Sequence, residues 1–118
     1  MGSTASVQTE VLEASAPSVI RNEGVANSPL FKTGTLIMSM QALETLARYK
    51  VTADSLLKRH ERGDWRQCDP CDQHTNQRAL SVGARVFSVY KIARKTTIWV
   101  ITVADRSQTM ILMPGQYL

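Results

Sequence analysis

Between Arg85 and Pro114 the chain switches to an alternating period, and this stretch constrains the fold more than any other. Val86, Ser88, Tyr90 and Ile92 would face one way while Arg85, Phe87, Val89 and Lys91 face the other, as a half-buried strand requires. Ile98–Val103 is almost continuously β-branched and aromatic, which suits a central strand, and Thr109–Met113 forms a third run closed by Pro114. The intervening links, Ala93–Lys95 and Ala104–Ser107, are of hairpin length. Three strands in sequence order with tight links predict an antiparallel meander.

The residues ahead of it read as helices. Ser39 is placed to cap a helix in which Leu43, Leu46 and Ala47 recur at helical spacing. A second helix opens at Thr52, carries Asp54 in its first turn, and runs through Leu56 and Leu57 to a stop at Gly63, with Lys58, Arg59, His60 and Arg62 on its exposed face. The third has the clearest punctuation: Asp69 as cap, Pro70 in the first helical position, and Gly83 after Leu80 and Val82. Gly34–Met38 is a short apolar run that could form an isolated first strand. The expectation is therefore an α+β domain with N-terminal helices packed on a three- to four-stranded antiparallel β-meander.

At 118 residues there is room for one hydrophobic core. Residues 1–30 are rich in Ser, Thr, Ala, Glu and Asn and sustain no apolar period, so they read as a disordered tail ahead of a single domain over 31–118. No run approaches a membrane span and the start lacks the pattern of a signal peptide, which points to a cytoplasmic protein without a membrane partner. The net charge is +4, but residues 1–29 hold one arginine against three glutamates, leaving +6 on the remainder. A basic body favours an anionic partner, either nucleic acid or an acidic protein face.

Three constellations bear chemistry-capable residues. Cys68 and Cys71, followed by His74, have a spacing used for redox and metal sites. The preceding segment is not the strand of a thioredoxin unit, however, and only His60 remains as a fourth ligand, so the expectation is two incidental thiols and no metal. His60, Glu61, Asp64 and Trp65 cluster at the end of the second helix. There a histidine near a carboxylate could serve acid–base work, or simply complement the helix dipole, with Trp65 as a packing anchor. Asp105 and Arg106 sit at a hairpin tip, the first suited to an Asx-turn and the second to a bidentate pair with a carboxylate such as Asp64, or to clamping a phosphate or a partner's acid. No phosphate-binding loop, nucleophile elbow or zinc-protease helix is present.

The order Arg59-His60-Glu61-Arg62-Gly63-Asp64-Trp65, then Asn76 with Ala79-Leu80, then Ser88-Val89-Tyr90, then Trp99-Val100-Ile101-Thr102-Val103-Ala104-Asp105-Arg106-Ser107 resembles a family of small proteins encoded on bacterial plasmids, integrative elements and prophages. Its pattern runs Arg-His-x-x-Gly-Asp-Trp-Gly, an Asn-bearing helix, Trp-Ile-Ile-Thr-Glu-Ala-Asp-Arg-Ser and a final Leu-Leu-Pro, covering residues 34–114 here. Val103 stands where the pattern has glutamate and Arg66 where it has glycine, and the cysteines lie outside it. The resemblance implies a role in plasmid maintenance, conjugation or opposing host defences.

Two functions follow as expectations. The first is a non-enzymatic binding module without cofactor, docking on a host or mobile-element protein or nucleoprotein through Arg59, Arg62, Arg94, Lys95, Asp105 and Arg106; an anti-defence inhibitor is one version. The second is a small nuclease or toxin using His60 with Asp64 or Asp105, and Arg106 for phosphate.

Overall fold

A computed structural model describes residues 25–117. Strand β1 (Thr35–Met38) is followed by helices α1 (Met40–Arg48), α2 (Ala53–Glu61) and α3 (Pro70–Val82), then by β2 (Val86–Ala93), β3 (Thr96–Thr102) and β4 (Gln108–Leu112). The α+β class and the β2–β3–β4 meander are as expected. The sheet as a whole is not antiparallel: its order is β1-β4-β3-β2, and β1 runs parallel to β4. The helices are also not an N-terminal block, because a strand precedes them.

Backbone geometry explains the parallel strand. Gly34 has φ +65°, and a Cβ there would collide with the Ser107 backbone. That close approach lets the Thr35 N–H donate to the Ser107 carbonyl at 3.0 Å, and the Ser39 N–H closes the far end on Ile111 at 3.1 Å. A parallel neighbour needs a long excursion between strands, and the chain from β1 to β4 supplies it through three helices and two strands. The four residues of β1 are too few to reveal this direction.

Capping follows side-chain chemistry at all three helix starts. Ser39, Thr52 and Asp69 each accept the backbone N–H three residues on, at 3.1, 3.1 and 2.9 Å, satisfying a donor the helix leaves free. Gly83 takes the left-handed conformation that ends α3. In α1 the buried residues are Ala42, Thr45 and Leu46, whereas Leu43 is half exposed and Ala47 is exposed. Of the expected stripe, Leu46 alone faces the core. The Thr45 hydroxyl donates to Gln41 O at 2.7 Å, which lets a polar side chain lie against the sheet.

The main core lies between these helices and one sheet face, where Ala42, Leu46 and Leu56 meet Tyr90, Ile98, Val100 and Ile111. Burying a side chain such as Leu56 contributes about 1.5–3 kcal/mol. A second cluster joins Trp65, Cys68, Ala79 and Val86. Asn76 fixes α3 to the β2 edge: its amide donates to Phe87 O at 2.7 Å and accepts Phe87 N–H at 2.9 Å, acting like one residue of a neighbouring strand. Gln67 Oε1 accepts Lys91 N–H at 2.8 Å on the same edge. That edge is consequently closed to further strands at these positions.

Most of the expected tail, residues 1–24, lies outside the described residues. Residues 25–30 are tied to the end of α2, with Ala26 N–H donating to Arg62 O and Leu30 N–H to Glu61 O.

Candidate functional site

His60 occupies the centre of the expected site, but it faces inward. Its position in α2 turns it away from Lys58 and Arg59, and it has no exposed surface. The expectation that it lies on the basic face is corrected, because Ser88 and Thr102 offer partners inside. Ser88 Oγ lies 2.6 Å from Nδ1 and Thr102 Oγ1 2.8 Å from Nε2, while Phe31 meets the ring edge-on at 5.1 Å.

Hydroxyl counting assigns the tautomer. Thr109 donates its single proton to Thr33 O at 2.6 Å, so it accepts from Thr102, 2.5 Å away. Thr102 then has no proton for the ring and must accept one from Nε2, leaving Nδ1 to accept from Ser88. Every contact in this buried chain is thereby satisfied by a neutral imidazole. Burial first, and the nearby Arg106 charge second, push the His60 pKa down to about 3. A group so placed has neither the access nor the basicity for acid–base work near neutral pH.

Asp64 is also enclosed. Arg59 Nε donates to Oδ2 at 2.7 Å, and Arg66 donates through Nε to Oδ1 at 2.7 Å and through a terminal nitrogen to Oδ2 at 2.8 Å. Burial alone would raise its pKa, but the hydrogen bonds from Arg66 and Arg59, with their charges, hold it below the ordinary carboxylate value. Arg59 is further sandwiched, its guanidinium 4.4 Å from the Tyr90 ring centre, while the Tyr90 hydroxyl donates to Asp64 O at 2.9 Å. Trp65 is buried beside this clamp, as an anchor should be.

Arg106 does not reach Asp64, contrary to the sequence-based expectation. It is one of two non-glycine residues with positive φ among the described residues, at 64°. Its guanidinium donates to Ala84 O at 2.6 Å, Val103 O at 3.2 Å and Ala79 O at 3.2 Å. The side chain thus caps carbonyls at the end of α3 and joins that helix to the β3–β4 hairpin. Asp105 forms the expected Asx-turn, accepting Ser107 N–H at 2.9 Å, and hydrogen bonding from the Ser107 side chain first and its backbone N–H second lowers its pKa.

The other cations are placed differently. Arg94 and Lys95 form the exposed turn between β2 and β3. Lys95 also lines a cleft of about 280 Å³ with Arg48, Thr96 and Thr97. Arg62 is half buried, with Nε lacking a hydrogen-bond partner among the described residues. Cys68 is buried and burial raises its thiol pKa, whereas Cys71 and His74 are exposed on α3. Among the described residues no group of three or more potential ligands converges for a metal. None of the described helices is long and apolar enough to cross a membrane.

Sequence reasoning therefore named the residues around His60 without its true partners. The inward hydroxyls of Ser88, Thr102 and Thr109 were the available signal, since polar residues on a strand's apolar face call for a buried partner. Comparison with protein-family models, with curated protein sequences and with solved structures finds no match.

Proposed function

We propose that the protein is a non-enzymatic binding module that docks on a protein or nucleoprotein partner through the cationic turn at Arg94 and Lys95. One observation carries this reading: His60 and Asp64 are consumed by internal hydrogen bonds, whereas Arg94 and Lys95 are exposed and enter no ion pair among the described residues. Arg59 and Arg106 then act mainly as internal clamps and Asp105 as a turn former, so the docking charge shifts away from them. Exposed Leu36, Ile37, Met40 and Leu43 at the β1–α1 edge add apolar surface of the kind that protein partners cover.

The resemblance to proteins of plasmids, integrative elements and prophages supports a setting in which the partner belongs to a host or to the element itself, with inhibition of a defence complex as the concrete version. A pull-down from the native host, paired with a nuclease assay on the purified protein, tests the reading. The expected result is a saturable partner and no cleavage. Cleavage abolished by His60→Gln in a folded variant would replace the binding module with the enzyme.

A further inference from the structure

The two faces of the sheet are chemically unlike. All three helices pack on the face of Val86, Tyr90, Ile98, Val100 and Ile111. The ladder register places Phe87, Trp99, Ile101, Met110 and Leu112 on the opposite face, where Ile101 and Leu112 are buried and the other three are half-buried. There Phe87 meets Trp99 edge-on at 4.9 Å between ring centres, and Tyr117, beyond β4, approaches Phe87 at 6.1 Å. All three rings remain partly exposed.

Cations flank these rings. The Arg85 guanidinium lies 5.4 Å from the Phe87 ring centre and 5.1 Å from that of Tyr117. Lys91 is exposed on the same face, and the Arg94–Lys95 turn begins three residues later. None of the four strands among the described residues contains an Asp or Glu. Arg85, Lys91, Arg94 and Lys95 enter no ion pair among the described residues. Arg85 and Lys91 stand six residues apart, about 20 Å along the strand.

We propose that this sheet face binds single-stranded nucleic acid, with bases stacking on Phe87, Trp99 and Tyr117 and phosphates held by Arg85, Lys91 and the Arg94–Lys95 turn. The inference rests on the binding-module reading and names the chemistry of the partner's nucleic-acid part. A row of aromatic rings with cations at both ends matches the alternation of base and phosphate along a strand. Unpaired bases offer their flat surfaces to such a row, whereas those of a duplex are stacked on one another. The strands themselves bring no carboxylate against a polyanion, with Asp69 and Asp72 nearby at the start of α3.

The test is fluorescence anisotropy of the full chain with a labelled single-stranded oligonucleotide of about 12 nucleotides and with a duplex of equal length. The single strand should bind in preference, and its affinity should fall as salt rises from roughly 50 to 200 mM. Trp99→Ala should weaken binding by about fivefold to a hundredfold, the range for loss of one stacked base. Since Trp99 also packs against Phe87, the exposed pair Arg85→Ala with Lys91→Ala provides an independent arm, and should flatten the logarithmic salt dependence by about 0.7 for each phosphate no longer neutralised.

Absence of single-strand binding at low salt, equal binding of duplex, or unchanged binding by the Arg85/Lys91 variant would each overturn the proposal. So would a dimer in sedimentation that Trp99→Ala disperses, since a second copy would then occupy the face. If partner capture persists and depends on Arg94 and Lys95 while oligonucleotide binding fails, the nucleic-acid inference falls and the docking reading stands; loss of both removes both.

Discussion

Acidification should weaken this fold through His60 before Asp64 titrates. The unfolded chain takes up a proton on that residue near pH 6.5, while the buried ring resists protonation until about pH 3. Between those values the unfolded state binds the extra proton. The stabilisation is therefore fully present above the unfolded pKa and lost as pH falls towards the folded one. The slope approaches about 1.4 kcal/mol per pH unit, so lowering pH from about 7 to about 4.5 should remove about 2–3 kcal/mol. Asp64, with its pKa held below the ordinary value of 3.8, retains its contribution across that window and loses it only at lower pH.

Urea denaturation at a series of pH values measures the effect. With about 1–2 kcal/mol of stability lost per molar urea, the midpoint should fall by about 1–2 M. His60→Gln is the control, because its amide can accept from Ser88 and donate to Thr102 without titrating. It should be less stable at pH 7 yet nearly flat down to about pH 4.5. His60→Ala orphans both hydroxyls, at a cost of about 1–3 kcal/mol each in addition to the cavity. A wild-type midpoint that stays constant over this range, or an equal slope in His60→Gln, would refute the assignment of His60 as a buried neutral hub.

Three further outcomes are expected. Trp65→Ala should cost about 3–5 kcal/mol in denaturation experiments, since it empties the centre of the smaller cluster. Gly34→Ala should weaken β1 pairing by about 2 kcal/mol or more, seen as faster hydrogen exchange over Thr35–Met38, because its Cβ meets the Ser107 backbone and its φ is positive. A thiol reagent should modify Cys71 rapidly in the native protein and Cys68 only on unfolding, as counted by mass spectrometry.

The elements most legible in the sequence were those whose signals are local. Asp69-Pro70 and Gly83 punctuate α3, and alternation around Ser88 and Tyr90 defines β2, because caps and strand faces depend on neighbouring residues. The parallel placement of β1 depended on a backbone contact between Gly34 and Ser107, more than seventy residues apart, which no local pattern records. The site divided in the same way. The Asp105 turn was readable because its acceptor lies two residues from its donor. The partners of His60 lie 28 and 42 residues away, and Arg106 binds carbonyls 22 and 27 residues away. Their residue types therefore suggested chemistry where tertiary contacts provide architecture.

On the proposed reading, docking charge resides at Arg94 and Lys95, apart from the internally satisfied His60 and Asp64. Its most direct test is titration calorimetry of the recovered, purified partner against the wild type and the double variant Arg94→Ala with Lys95→Ala. The melting temperature should be unchanged and the affinity lower by about tenfold or more, as expected for removal of two interfacial charges. Wild-type affinity in that folded variant would contradict it.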